Sequence, residues 1–244
     1  MLAIIGGTGL SQLGNLERPR RQLVRTPYGE PSGPLTFGTI RGAEVVFLAR
    51  HGYGHTLPPH QVNYRANLWA LRDQGAGEIV SVASVGGIRA GLAPGDLVVP
   101  HQIIDYTAGR RNTFFEDGAP VTHIDFTEPY TPALRRRILD AAAACGETAR
   151  DGAVYAATQG PRLETAAEVD RLERDGADVV GMTGMPEAAL ARELDLAYAA
   201  LAVVVNHAAG RGDSARGIRM RAIEEVMADA MRRVQRVIGT LVAP

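Results

Sequence analysis

Along the chain, short runs of apolar and β-branched residues alternate with stretches whose apolar positions recur at helical spacing. LAII opens the sequence; EVVFLA from Glu44, EIVSVAS from Glu78, DLVVP from Asp96, GAVYAAT from Gly152, DVVGM from Asp178 and AYAALAVVVN from Ala197 follow. Runs of this kind predict buried strands. Between them, VNYRANLWALRDQ, from Val62 to Gln74, puts Leu68 and Leu71 on one helical face, and the segment from Thr131 to Cys145 opens with a Thr-Pro pair suited to a helix N-terminus. A charged last helix, from about Arg219 to Ile238, is expected to close one face. The alternation predicts an α/β fold, a single domain over residues 1–244 whose central sheet is flanked by helices. LTFGTI and EVVFLA are separated only by the residues around Arg41-Gly42, so they read as an antiparallel hairpin and make the sheet mixed. No repeat, low-complexity tract or long flexible linker divides the chain.

Composition narrows the partners. The apolar share of 45% over 244 residues suffices for one core, and a formal net charge of −1 draws the chain neither to nucleic acid nor to an anionic membrane. Small-molecule ligands are the expected partners. Cys145 is the only cysteine, which excludes an intrachain disulfide and fits a reducing compartment. No stretch approaches the roughly 20 apolar residues of a membrane span, and the opening run lacks the basic start of a signal peptide, so a cytoplasmic location is expected.

The first strand ends in GGTG. A dinucleotide-binding fingerprint needs a third glycine, where this chain has Gln12, and an acid after the next strand, where it has the loop-like RTPYGEPSGP. What survives is a backbone cradle for one anion, with the Thr8 hydroxyl, or else a plain turn. ARHGYGHTLPPH places Arg50 and His51 at a strand end, a position and a pair suited to phosphate; with His55 and His60 it makes only a weak metal motif, and no metal is expected. SVASVGGIRAGLAPGD reads as a glycine-rich turn whose amides near Ser84 close the same pocket. Glu164, in TQGPRLETAAE, is expected to begin a helix, where a carboxylate favoured by the dipole is the simplest account. Met182 and Thr183 fall between a strand and a helix. Asn206 ends a very apolar strand, as a turn former or as a paired donor and acceptor for a heterocycle.

Taken together, GGTG, ARHGxxH, PPHxVNYRANLWAL, GGIRAGLAPGD, GPRLET and GMTGMPE resemble, in order and over nearly the whole chain, the trimeric purine nucleoside phosphorylases, above all their methylthioadenosine phosphorylase branch. The resemblance implies a phosphate pocket of Thr8, Arg50, His51, Ser84 and Thr183, with inorganic phosphate as co-substrate and no cofactor. It implies Met182 along the ribose, Leu163, Glu164 and Asn206 around the purine, and Ala208 in the same pocket. Glu164 and Asn206 are the implied catalytic pair. It further implies a homotrimer, in which His123 reaches over the 5′ end of a neighbour's substrate.

Two positions depart from the methylthioadenosine branch, which has aspartate in place of Asn206 and a small hydroxyl residue in place of Glu164. Asparagine can donate to a 6-oxo group while accepting from a protonated N7, and a carboxylate accepts from N1–H but would face the bare N1 of adenine. Both swaps favour hypoxanthine. At the sugar end, Ile223 aligns where inosine and guanosine phosphorylases carry a histidine, and it suits a methylthio group better than a hydroxyl. The expected activity is phosphorolysis of a 5′-methylthio 6-oxopurine nucleoside. Methylthioadenosine phosphorylase, inosine or guanosine phosphorylase and a catalytically silent nucleoside-binding protein stay open.

Overall fold

A computed structural model of the protein describes residues 1–116, 118 and 120–243. In chain order the elements are β1 (Leu2–Gly6), β2 (Glu17–Gln22), β3 (Leu35–Ile40), β4 (Ala43–Ala49), α1 (Tyr64–Asp73), β5 (Glu78–Gly87), β6 (Leu97–Val99), β7 (Gln102–Asp105), α2 (Pro132–Ala144), β8 (Ala149–Asp151), β9 (Val154–Ala157), α3 (Ala166–Arg174), β10 (Val179–Gly181), α4 (Gly184–Glu193), β11 (Ala197–His207) and α5 (Met220–Leu241). All the strands join one mixed sheet. The expected β3–β4 hairpin is present, antiparallel, and its turn residues Arg41 and Gly42 both have positive φ.

Strand periodicity divides the apolar residues between two cores. Alternate residues of β1 face opposite ways, so Ala3 and Ile5 join one cluster and Leu2 and Ile4 the other. The first cluster is closed by Leu68 and Leu71 of α1 and Leu190 of α4, the second by Ile138 of α2 and Val234 and Ile238 of α5. Helices on both faces explain why the central strands read as continuous apolar runs rather than as alternating ones. Against α3, Val169 and Leu172 pack on Val180 in a smaller cluster. A Thr165–Glu168 capping box starts that helix.

The strand β5 positions the site because the sheet forks on it. Along one edge it pairs with β11 in parallel. Along the other it pairs with β1 only as far as Ser81, and then with antiparallel β10 from Gly86. Among the described residues, Val82 to Val85 are left between them without a strand neighbour on that edge. The turn expected at Ser84 is therefore strand, with Ser84 opposite Val203. Its neighbours Gly86 and Gly87 look like turn residues in sequence but continue the ladder. At the far end of β11 the register slips between Val204 and Asn206, a bulge that re-aims the residue after it.

Candidate functional site

The parallel strands β1, β4, β5 and β11 end together, and loops from three of them wall a cleft of about 470 Å³ at those ends. Every residue expected at the site lines it except His123: Thr8, Arg50, His51, Ser84, Leu163, Glu164, Met182, Thr183, Asn206, Ala208 and Ile223. His123 is exposed, in the connection between β7 and α2, and is not brought to the cleft of its own chain.

At one end the GGTG loop crosses the mouth of the fork. Gly9 has φ +83°, and a Cβ there would overlap Met227 of α5, so both conformation and space require glycine. The hydroxyl of Ser84 donates to the Thr8 carbonyl at 3.2 Å. Beneath Gly7 lies Arg50, its backbone N–H donating to Gly6 O at 2.9 Å. The side chain does not present its fork to the cleft as expected. It is wholly buried: Nε and Nη2 donate to the two Glu187 oxygens at 2.7 and 2.9 Å, Nη2 also to Ser81 Oγ at 2.7 Å, and Nη1 to Val82 O at 3.0 Å. Of the five guanidinium hydrogens these bonds leave one, on Nη1. Glu187 accepts further from Ser81 and Tyr198 hydroxyls at 2.7 and 2.8 Å. Burial works against the Arg50 charge, but the Glu187 carboxylate more than offsets it and holds the guanidinium above its usual range. Burial also pushes the Tyr198 hydroxyl well above its ordinary range, which keeps it a donor.

His51 donates from Nδ1 to Leu57 O at 2.8 Å. Burial, and then the neighbouring Arg50 charge, depress its pKa to about 4, so the ring is neutral near pH 7. Thr183, between β10 and α4, has its N–H 3.4 Å from the Tyr155 hydroxyl.

At the other end the groups are held by side-chain bonds on loops. Glu164 lies before Thr165, the N-cap of α3, so it does not begin the helix as expected; instead Thr158 Oγ1 donates to its Oε1 at 2.6 Å. Leu163 beside it is 39% exposed. Asn206 follows the bulge in β11, and its Nδ2 donates to His207 O at 2.6 Å. A carbonyl partner fixes which way the amide faces, and leaves Oδ1 and one N–H for a ligand. Ala208 completes this end, its N–H donating to Gly87 O at 2.8 Å. The long wall is apolar: Ile218, Met220, Ile223 and Met227.

Sequence reasoning missed two groups. Glu187 looks like an ordinary helical glutamate in GMPEAAL, although an acid amid buried apolar residues is a signal of pairing. Arg110, in a loop, donates to the carbonyls of Met182 and Met185 at 2.8 and 2.6 Å and of Gln159 at 2.9 Å. It thereby ties together the ends of β9 and β10, which carry Glu164, Met182 and Thr183. Among the described residues no three His, Cys, Asp or Glu side chains gather as metal ligands, and no helix is long and apolar enough to cross a membrane.

A family model described as the Phosphorylase superfamily matches residues 1–243. The chain belongs to that superfamily. This phosphorylase is 55% identical over 242 residues to the "probable S-methyl-5′-thioinosine phosphorylase" of Pseudomonas syringae pv. tomato, covering 99% of this chain and 98% of that one. It is 46% identical over 215 residues to the "6-oxopurine nucleoside phosphorylase" of Pyrococcus furiosus, covering 86% and 80%. Among solved structures, a methylthioadenosine phosphorylase from Schistosoma mansoni in complex with adenine superposes with a TM-score of 0.94 at 31% identity, covering 99% of this phosphorylase and 90% of that chain. The expected α/β nucleoside phosphorylase fold is thereby established for it.

Proposed function

We propose that this phosphorylase converts S-methyl-5′-thioinosine and inorganic phosphate to hypoxanthine and 5-methylthioribose 1-phosphate, in purine salvage. The observation that carries the reading is the pairing, in one cleft, of Asn206 and Glu164 with the apolar wall of Ile223 and Met227. Asn206 offers one N–H to O6 and Oδ1 to a protonated N7, while the Glu164 oxygen not engaged by Thr158 accepts from N1–H. Adenine reverses the polarity at C6 and N1, and a site built on hydrogen bonds can reject such a mismatch by about 10⁴-fold. The apolar wall gives a 5′-hydroxyl no partner but buries a methylthio group. The names of the relatives support the same substrate class.

As the C1′–N9 bond stretches, positive charge grows on the ribose ring and negative charge on the purine. Asn206 and Glu164 stabilise the leaving base by hydrogen bonds. Phosphate, held by the Thr8 loop, the Ser84 edge, Thr183 and the last Arg50 N–H, lies beneath C1′, stabilises the cation and attacks with inversion. The chain acts as a cytoplasmic homotrimer, with His123 of the partner subunit reaching the 5′ end; sedimentation of the purified protein at three times the chain mass checks the assembly.

Phosphate-dependent base release from methylthioinosine, methylthioadenosine, inosine and guanosine tests the activity. Methylthioinosine is cleaved fastest at low concentration. Equal rates on all four, or none on any, overturn the reading.

A further inference from the structure

We propose that His51 recognises the hydroxyl of bound hydrogenphosphate as a hydrogen-bond acceptor, so that the site selects a protonated oxyanion over a fully deprotonated one such as sulfate. The inference rests on the phosphate-binding reading of this end of the cleft. Leu57 O can only accept, so the proton of the neutral ring is on Nδ1, and Nε2 carries a lone pair. Nε2 has no partner among the described residues, yet protein does not enclose it, and the residue lines the cleft. Of the charged and titratable groups around the ring, Arg50 and His55 disfavour a second ring proton and Glu187 favours it, and burial is the largest influence against it.

Among the described residues that line this end of the cleft, no unpaired arginine meets the dianion. The Arg50 charge is matched by Glu187 within a bidentate pair, and His51 contributes an acceptor rather than a charge. An unprotonated oxyanion would set an oxygen lone pair against Nε2. Hydrogenphosphate instead turns its one P–OH to Nε2 and its unprotonated oxygens to the Thr8 loop and Thr183. The proton balance agrees with this. The C1′–N9 electron pair leaves with hypoxanthine, a phosphate oxygen bonds to C1′, hydrogenphosphate loses its one proton and the purine gains one.

Calorimetric titration with phosphate and with sulfate at pH 7.5, with hypoxanthine present, tests the assignment without turnover. In the parent protein sulfate binds about tenfold or more weakly than phosphate, the usual scale for a buried acceptor left facing an acceptor. Fluorophosphate, a dianion without the hydroxyl, behaves like sulfate. In His51→Asn, whose amide can turn its N–H₂ to the anion, the ratio falls towards one. Sulfate or fluorophosphate binding the parent as tightly as phosphate overturns the proposal, whether or not the variant folds. An unchanged ratio in a folded variant does the same. Strong discrimination in a protein that releases no base leaves the proposal standing and removes the proposed reaction; phosphate that does not bind at all removes both.

Discussion

At the proposed phosphate end of the cleft Arg50 is fully enclosed, and the Ser81 and Tyr198 hydroxyls both donate to its partner Glu187. At the proposed base end Leu163 is 39% exposed, and Glu164 and Asn206 each rest on one hydrogen bond from or to an adjacent segment. The first region is part of the core and the second is mounted on it. In the proposed reaction an anion common to many substrates is read by a rigid, buried frame, whereas the choice between two purines falls to a few polar atoms on loops. Substitution at the first end should therefore register in folding, and at the second in selectivity.

Glu187→Ala breaks the comparison most severely. It leaves the buried Arg50 charge unpaired, and removing one partner of such a pair typically costs about 3–5 kcal/mol. For a domain of this size that lowers Tm by roughly 10 °C, measurable by calorimetry. An unchanged Tm would mean that the network is not part of the core. Next, Asn206→Asp shifts the ratio of kcat/KM for methylthioadenosine over methylthioinosine upward by about 10²-fold or more with Tm nearly unchanged. The same ratio in parent and variant would sink the base-edge argument. Smaller is the response to pH. The folded pKa of His51 is depressed to about 4, so the unfolded chain binds the extra proton first as pH falls, and stability is lost progressively between about pH 6.5 and pH 4. Urea midpoints at pH 7 and pH 5 differ less in His51→Gln than in the parent. Smallest is Thr165→Ala, which removes one bond of the α3 capping box next to Glu164 and costs about 1 kcal/mol by urea melting.

Periodicity revealed the buried layers because strands covered on both faces must be apolar throughout. It did not reveal β2, whose sequence ERPRRQ is exposed and carries Pro19, nor the short β7 and β8, which sit at or near the sheet's edges. Edge strands lack the burial that writes a pattern. Thr8, Arg50, His51, Thr183 and Asn206 stood at strand ends or in glycine turns, where sequence already marks chemistry, whereas Ile223 lies in α5 and was reached by resemblance alone. The role of Arg50 was not legible, because its partner Glu187 lies 137 positions away and only the fold joins them. Nor was the Asn206 bulge, since one extra residue in a strand changes which face it presents without changing composition.

The fork in β5 leaves a peptide group without a strand neighbour at the proposed phosphate site. Val82 O sits on the edge abandoned by β1 and accepts from Arg50, and the two-residue repeat of a strand places the N–H of Ser84 on the same edge. That amide meets no strand on its edge among the described residues, while the amides turned towards β11 keep their partners in the ladder. Its hydrogen–deuterium exchange should thus be a clock for occupancy: fast in the empty cleft, slowed by bound phosphate, and insensitive to changes at the base end.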